Sequence, residues 1–196
     1  MKMNDYISDF TNHLRDAIEI AKTTNLNPKI SEIRNVLICG LGGSGIGGSI
    51  VKDIVSTKAS VPISATKDYS IPNFVDKHTL VIASSYSGNT EETLCAIEKC
   101  RDKKAEIAVI TSGGKLKSIA KENNYNTIII PAGNPPRAMF GYAFTEIFYI
   151  LNHYKIIDGF FKSDFEKAIE LLNIKRPAIQ KQAMALAKKM YKTTPV

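Results

Sequence analysis

The sequence is poor in the features that define secreted, membrane-spanning and disulfide-rich proteins. Its three cysteines, Cys39, Cys95 and Cys100, are an odd number without a C-x-x-C pair. This argues against a disulfide framework or a cysteine zinc site, and it fits a reducing compartment. No apolar run approaches the ~20 residues of a membrane span, and the first residues lack the apolar core of a signal peptide. We therefore expect a cytoplasmic protein that does not bind membranes.

Acidic residues are absent from the last 22 positions, and this accounts for most of the net charge of +7. Residues 1–174 carry 20 Lys and Arg against 19 Asp and Glu, whereas residues 175–196 carry six basic residues and no acid. A basic stretch confined to one end is typical of a solvated helix face, so we do not expect nucleic-acid binding. Because 44% of the residues are hydrophobic and 23% charged, the composition is that of a globular domain.

From Arg34 onward, short continuous apolar runs alternate with helical patterns. Such runs are typical of parallel strands that are buried on both faces, with a helix in each connection. We therefore predict an α/β fold with a five-stranded parallel sheet flanked by helices, a three-layer sandwich of the Rossmann-like or flavodoxin-like kind. The predicted strands are 36–39, 61–63, 79–83, 107–110 and 127–130, and the predicted helices between them are 44–57, 90–103 and 114–124.

Helical patterns also flank this core. Apolar residues at helical spacing predict a helix over 4–23, and an aromatic-rich apolar segment runs over 138–151. Two more helices are predicted over 163–173 and 176–191, because Pro177 suits the first turn of a helix.

Six of the 12 glycines fall within residues 40–48, GLGGSGIGG, directly after a predicted strand. Glycine lets backbone N–H groups approach a ligand, and the helix that follows favours anions. A tight turn without a ligand is the plainer alternative. The stretch also matches G-x-G-x-x-G, but the acid that a dinucleotide site needs at the end of the second strand comes late, at Asp68. An NAD(P)-dependent oxidoreductase is therefore the less favoured alternative.

A second motif, SSYSGNTEET over 84–93, follows the third predicted strand and precedes a helix. Its hydroxyl groups, its glycine and the helix N-terminus together predict a neutral cradle that holds a phosphate without lysine. The plainer alternative is a helix cap supplied by Asn89 or Thr90. The G-x-x-x-x-G-K-[ST] run of a nucleotide-binding P-loop is missing.

These two motifs, with NPPRAMFGY over 134–142, resemble the sugar-isomerase (SIS) domain, which binds phosphosugars. Their order resembles the bifunctional phosphoglucose/phosphomannose isomerases, over most of residues 1–155. The resemblance implies neither a metal nor an organic cofactor. It implies that Ser85, Ser87 and Thr90 bind phosphate, that Gly42, Gly43 and Ser44 lie along the sugar, and that Arg137 stabilises an enediolate intermediate. A salt-bridged arginine at a helix start is the alternative for Arg137.

The resemblance further implies reversible isomerisation of glucose 6-phosphate or mannose 6-phosphate to fructose 6-phosphate, with a phosphorylated hexose as substrate. The family's base, a glutamate on a second SIS domain, and its ring-opening histidine and a lysine lie beyond residue 196. We therefore interpret 1–153 as one SIS domain and 154–196 as a helical linker toward a second one. A non-catalytic phosphosugar sensor remains the alternative. We also expect a homodimer, because apolar surface around Phe144 and Phe148 would be left uncovered.

Overall fold

The computed structural model describes residues 2–28 and 32–193. The chain divides into two compact units, and the boundary in the sequence falls between Gly159 and Phe160. The first unit holds a sheet and the helices that cover it. Its elements are α1 (Met3–Ser8), α2 (Phe10–Thr23), β1 (Asn35–Cys39), α3 (Gly42–Val55), β2 (Ile63–Thr66), β3 (Thr79–Ser85), α4 (Glu91–Asp102), β4 (Glu106–Thr111), α5 (Gly114–Glu122), β5 (Asn126–Ile129), a 3₁₀ helix (Pro136–Met139) and α6 (Phe140–His153). The second unit is one helix, α7 (Phe161–Met190).

All five strands are parallel, in the order β2-β1-β3-β4-β5. The predicted five-stranded parallel sheet is therefore confirmed. The second strand begins at Ile63, where the predicted strand ended, because Pro62 lacks an N–H group for the ladder. Pro62 contributes its carbonyl instead, which accepts a hydrogen bond from the Val36 N–H at 2.9 Å.

The strands are continuous apolar runs because helices cover both faces of the sheet. Leu37 of β1 packs in a core with α4 and α5 residues, among them Ile97 and Leu116. Its neighbour Ile38 points to the other face, where it lies against Gly48 of α3. Helix α6 packs beside α3 and α2 on that second face.

Two predictions about helices were wrong. The N-terminal helix is broken at Asp9 into α1 and α2. The two predicted C-terminal helices are one continuous helix, α7, with Pro177 inside it. Pro177 cannot donate a hydrogen bond to the carbonyl of Asn173 and its ring crowds that group, yet the helix continues through it. Among the described helices, none is long and apolar enough to cross a membrane.

The prediction that the aromatic segment leaves apolar surface uncovered around Phe144 and Phe148 was wrong. Phe148 is only 2% exposed, and Phe144 is half-buried with its ring 5.3 Å from those of Phe140 and Phe148. Helix α6 is covered by α2 and α3, so its aromatic residues belong to the domain's own core. Apolar exposure occurs instead on α3, where Ile50 and Ile54 are 40% and 47% exposed.

One acidic residue, Glu146, is buried in this core. It is 0% exposed and shares its face of α6 with Ala143 and Ile150, which are also buried. Neither carboxylate oxygen has a hydrogen-bond partner among the described residues. Burial raises the pKa of Glu146 to about 8, because an ionised carboxylate without partners is costly inside a protein.

Candidate functional site

The two predicted binding loops lie side by side at the carboxyl edge of the sheet. The glycine loop follows β1 and the hydroxyl-rich loop follows β3, and these two strands are neighbours. The chain leaves β1 in one direction toward β2 and leaves β3 in the other toward β4. Ligands of open α/β sheets bind in the crevice at such a switch point.

The glycines of the first loop divide into two groups. A Cβ on Gly40 would lie 2.9 Å from the Ser84 carbonyl, and one on Gly45 would collide with the Gly40 carbonyl, so these glycines let α3 pack closely on the sheet. Gly42 and Gly43 have no such neighbour. A Cβ on Gly42 would meet nothing within 4 Å, and one on Gly43 would meet only the Pro136 carbonyl, at 3.9 Å. Their backbone is therefore open to a ligand.

Ser44 is half-buried in the first turn of α3. The helix begins at Gly42, whose φ of +58° suits glycine. The preceding residue, Leu41, has an apolar side chain and makes no capping hydrogen bond to the helix. The free N–H groups of this first turn consequently favour an oxygen-rich or anionic ligand.

In the second loop, two of the three predicted phosphate-binding hydroxyls are in contact. The Ser85 and Thr90 hydroxyls are hydrogen-bonded to each other at 2.8 Å, with Ser85 buried. Ser87 is exposed, and its hydroxyl accepts the Asn89 N–H at 3.2 Å. Gly88, at the centre of the loop, has a φ of +67°. The chain thus turns tightly at a buried glycine, next to the exposed Ser87.

The simple capping alternative fails for this loop. Thr90 occupies the N-cap position of α4, but its side chain makes no capping hydrogen bond. The side-chain oxygen of Asn89 instead accepts the N–H of Lys115, at 3.0 Å. The first N–H groups of α4 are therefore not satisfied by either candidate cap, and they remain available to an anion.

Contacts with the loop after β4 hold the second loop in shape. Ser112 donates from its N–H and its hydroxyl to the Tyr86 carbonyl, at 3.0 and 2.6 Å. The Leu116 N–H donates to the Gly88 carbonyl at 2.9 Å. These bonds occupy the carbonyl groups of Tyr86 and Gly88. The N–H groups of Gly88 and Asn89 are used within the loop, by the Ser85 carbonyl and the Ser87 hydroxyl. The donors left for a phosphate are therefore the loop's hydroxyl groups and the uncapped N–H groups of α4.

Arg137 lies in the 3₁₀ helix, and its side chain is exposed. Pro136 next to it adjoins Gly43, as noted above, so this segment borders the glycine loop. Within residues 2–28 and 32–193, Arg137 forms no ion pair, and the salt-bridge alternative has no partner there. The sequence did not predict that Tyr86 and Asn134 join this segment to the second loop. The N–H of Asn134 donates to the Tyr86 hydroxyl at 2.9 Å.

The histidines are held outside this crevice by other partners. His78 and His153 each have a ring nitrogen near a backbone carbonyl, that of Glu32 at 3.1 Å and that of Asn27 at 2.6 Å. His13 lies on α2, next to the ring of Tyr142. The described residues contain no group of three side chains that could hold a metal ion.

Another groove lies at the opposite, amino-terminal edge of the sheet. It encloses about 600 Å³ and is lined by residues from the starts of β4 and β5, including Glu106 and Asn126. Asn126 is fully engaged there, donating to the Tyr154 hydroxyl at 2.7 Å and bonding both backbone groups of Asn27. The groove holds none of the residues that the motifs predict, and we assign the site to the carboxyl edge.

This combination of a β2-β1-β3-β4-β5 sheet, an open glycine loop and a hydroxyl-rich loop at its switch point defines an open α/β domain with a candidate anion-binding crevice. The SIS domain model matches residues 29–152, and the chain belongs to the SIS family. It is 45% identical over 142 residues to a bifunctional phosphoglucose/phosphomannose isomerase from Caldicellulosiruptor bescii, covering 72% of this chain and 42% of that one. The enzyme of the same name from Aquifex aeolicus is 33% identical over 168 residues, covering 85% and 50%.

Among solved structures, a Clostridium difficile 630 protein provisionally assigned as a phosphosugar isomerase has the same fold. Its TM-score is 0.76 at 17% identity, covering 98% of this chain and 57% of that one. The chain spans about half the length of the curated relatives it matches, or less.

Proposed function

We propose that this chain binds the phosphate and sugar of a hexose 6-phosphate as one half of an aldose–ketose isomerase. The substrates are glucose 6-phosphate or mannose 6-phosphate, and the product is fructose 6-phosphate. One observation carries the proposal. The donors of the second loop and the open backbone of Gly42 and Gly43 meet at the switch point of the sheet. The proposal agrees with the names of the relatives at 45% and 33% identity.

The phosphate group of the substrate would sit at the N-terminus of α4. There it would accept hydrogen bonds from the hydroxyls of Ser85, Ser87 and Thr90 and from the uncapped N–H groups of the helix. The positive end of the helix dipole favours the dianion, so the site needs no lysine. The sugar would extend toward Gly42, Gly43 and Ser44.

Isomerisation moves a proton between C2 and C1 of the open-chain sugar through an enediolate with negative charge on its oxygens. Arg137, exposed and without an ion pair among the described residues, would stabilise that charge. A base must take the proton, and we place it in a second SIS domain, with 1–153 as the first domain and 154–196 as the linker. No metal or organic cofactor takes part in this scheme. The homodimer and the cytoplasmic location also remain our predictions.

Two alternatives make different predictions. A non-catalytic sensor would bind the same ligand and use no Arg137 chemistry. A dinucleotide-binding oxidoreductase would bind NAD(P). In this chain the neighbours of β1 are β2 and β3, whereas in the dinucleotide-binding fold they are β2 and β4.

Ligand titration tests the proposal. Isothermal titration calorimetry or NMR should show binding of glucose 6-phosphate and of inorganic phosphate to the chain. Ser87→Ala removes one hydrogen bond to a charged group, worth about 1.5–3 kcal/mol, so both ligands should bind roughly 10- to 150-fold more weakly. Ser118→Ala, at an exposed position in α5, is the matched control and should bind as the wild type does. Binding of NAD without binding of phosphate would refute the proposal and favour the oxidoreductase.

A further inference from the structure

The hydroxyl of Tyr86 connects the phosphate loop with the segment that carries Arg137. Tyr86 lies between the two predicted phosphate ligands Ser85 and Ser87. Its hydroxyl accepts the N–H of Asn134 at 2.9 Å, across 48 residues of sequence. The Tyr86 carbonyl is held by Ser112, as described above, so the backbone that carries this ring is fixed.

Asn134 is held from a second side. Its side-chain oxygen accepts the hydroxyl of Tyr6 on α1 at 3.0 Å, and its side-chain nitrogen donates to the Ala132 carbonyl at 3.2 Å. The bond to Tyr86 therefore belongs to a small network in which both hydrogen-bonding ends of the Asn134 side chain and its backbone N–H are occupied.

The two prolines after Asn134 pass this placement on to Arg137. Pro135 and Pro136 each have φ restricted to about −65°, so few torsions are free between Asn134 and Arg137. Pro135 adopts φ −60° and ψ 129°, and Pro136 starts the 3₁₀ helix. A shift of Asn134 would consequently move the backbone of Arg137 almost as a rigid unit.

We propose that Tyr86 is a positioning residue that holds Arg137 in register with the bound phosphate. This inference rests on the proposed function, since it assumes that Arg137 acts on the sugar while the neighbours of Tyr86 bind its phosphate. The reacting carbons of a hexose 6-phosphate lie at the opposite end of the sugar from the phosphate. The guanidinium group must therefore stand at a set distance from the phosphate loop, and the Tyr86–Asn134 bond sets it.

The test compares two ligands in titrations followed by NMR. Inorganic phosphate reports on the phosphate loop alone, and a phosphorylated aldonate adds a carboxylate that imitates the enediolate and requires Arg137. Tyr86→Phe should leave phosphate binding within about twofold and weaken aldonate binding about three- to tenfold, the effect of one lost hydrogen bond. Tyr6→Phe, which loosens Asn134 from the other side, should shift the aldonate in the same direction. Tyr125→Phe, a half-buried tyrosine at the other sheet edge, is the control and should change neither ligand.

A double-mutant cycle separates positioning from a general structural effect. In an Arg137→Gln background, Tyr86→Phe should add nothing further to the loss of aldonate binding, because the group it positions is gone. Equal loss of both ligands in Tyr86→Phe would show that the hydroxyl only supports the phosphate loop, and additive losses in the cycle would show that it acts independently of Arg137. Either result overturns the inference while the proposed function stands. If the wild type binds neither ligand, the proposed function itself fails.

Discussion

Glu146 should make the stability of this domain fall as the pH rises. In the folded chain the pKa of this carboxyl is about 8 because the group is buried, while its ordinary value is 4.5. Between these values the folded state retains a proton that the unfolded state has lost. The free energy of unfolding therefore decreases with pH by about 1.36 kcal/mol per pH unit. The stabilisation is complete below pH 4.5 and is lost as the pH rises to about 8.

The size of the effect follows from the two pKa values. The whole interval corresponds to about 5 kcal/mol, a large share of a typical domain stability of about 5–15 kcal/mol. Glu146→Gln keeps the shape of the side chain and is neutral at every pH, so it removes this dependence. The free energy of unfolding of Glu146→Gln minus that of the wild type should increase by about 3–4 kcal/mol between pH 5 and pH 8.

Urea unfolding at several pH values measures this difference, with far-UV circular dichroism as the signal because the chain has no tryptophan. Glu122→Gln, at an exposed position in α5, is the matched control, and its difference from the wild type should stay within about 0.5 kcal/mol at every pH. A difference between Glu146→Gln and the wild type that is constant from pH 5 to pH 8, or that shrinks, would refute the argument. It would mean that the buried carboxylate is ionised and paired in the folded protein.

Two further predictions concern the second loop and catalysis. Gly88→Ala should destabilise the chain by about 1–3 kcal/mol in urea unfolding and abolish phosphate binding, because φ is +67° and the new Cβ would collide with the Gly113 carbonyl. Gly133→Ala, with φ +82° and open space around it, should show only the smaller backbone cost; equal losses would contradict the steric argument. In a coupled assay, the 196-residue chain should isomerise fructose 6-phosphate at least 100-fold more slowly than the longer Caldicellulosiruptor bescii relative, because our proposal places the base in a second SIS domain. Equal rates would place a base within this chain.

The sheet could be predicted because its strands carry their own signal. Four or more consecutive apolar residues, as in Val36–Cys39, are needed only where helices cover both faces. The order of the motifs along the chain then places their loops at one edge, since all parallel strands end there. The positions of the glycine loop and of the second loop at that edge follow from this rule alone.

Helix ends and burial were harder to predict, because competing arrangements share the same local pattern. A proline suits the first turn of a helix and is also tolerated inside a long one, so Pro177 alone does not distinguish two helices from one. The aromatic residues of α6 likewise suit either a core or an interface. Which of the two applies depends on α2 and α3, whose packing against α6 brings together residues far apart in sequence.

The glycine-rich loop shows where sequence reasoning about a site stops. Six glycines in nine residues are more than a turn needs, and the excess pointed to a ligand. Some of that excess has a packing cause, since Gly40, Gly45 and Gly48 let α3 approach the sheet. Only Gly42 and Gly43 are open, and they stand next to the segment of Arg137. The number of glycines thus overstated the argument for a ligand, whereas the positions of Gly42 and Gly43 support it. The sequence alone does not separate the two kinds of glycine, because the separation depends on distances between the loop, β3 and the 3₁₀ helix.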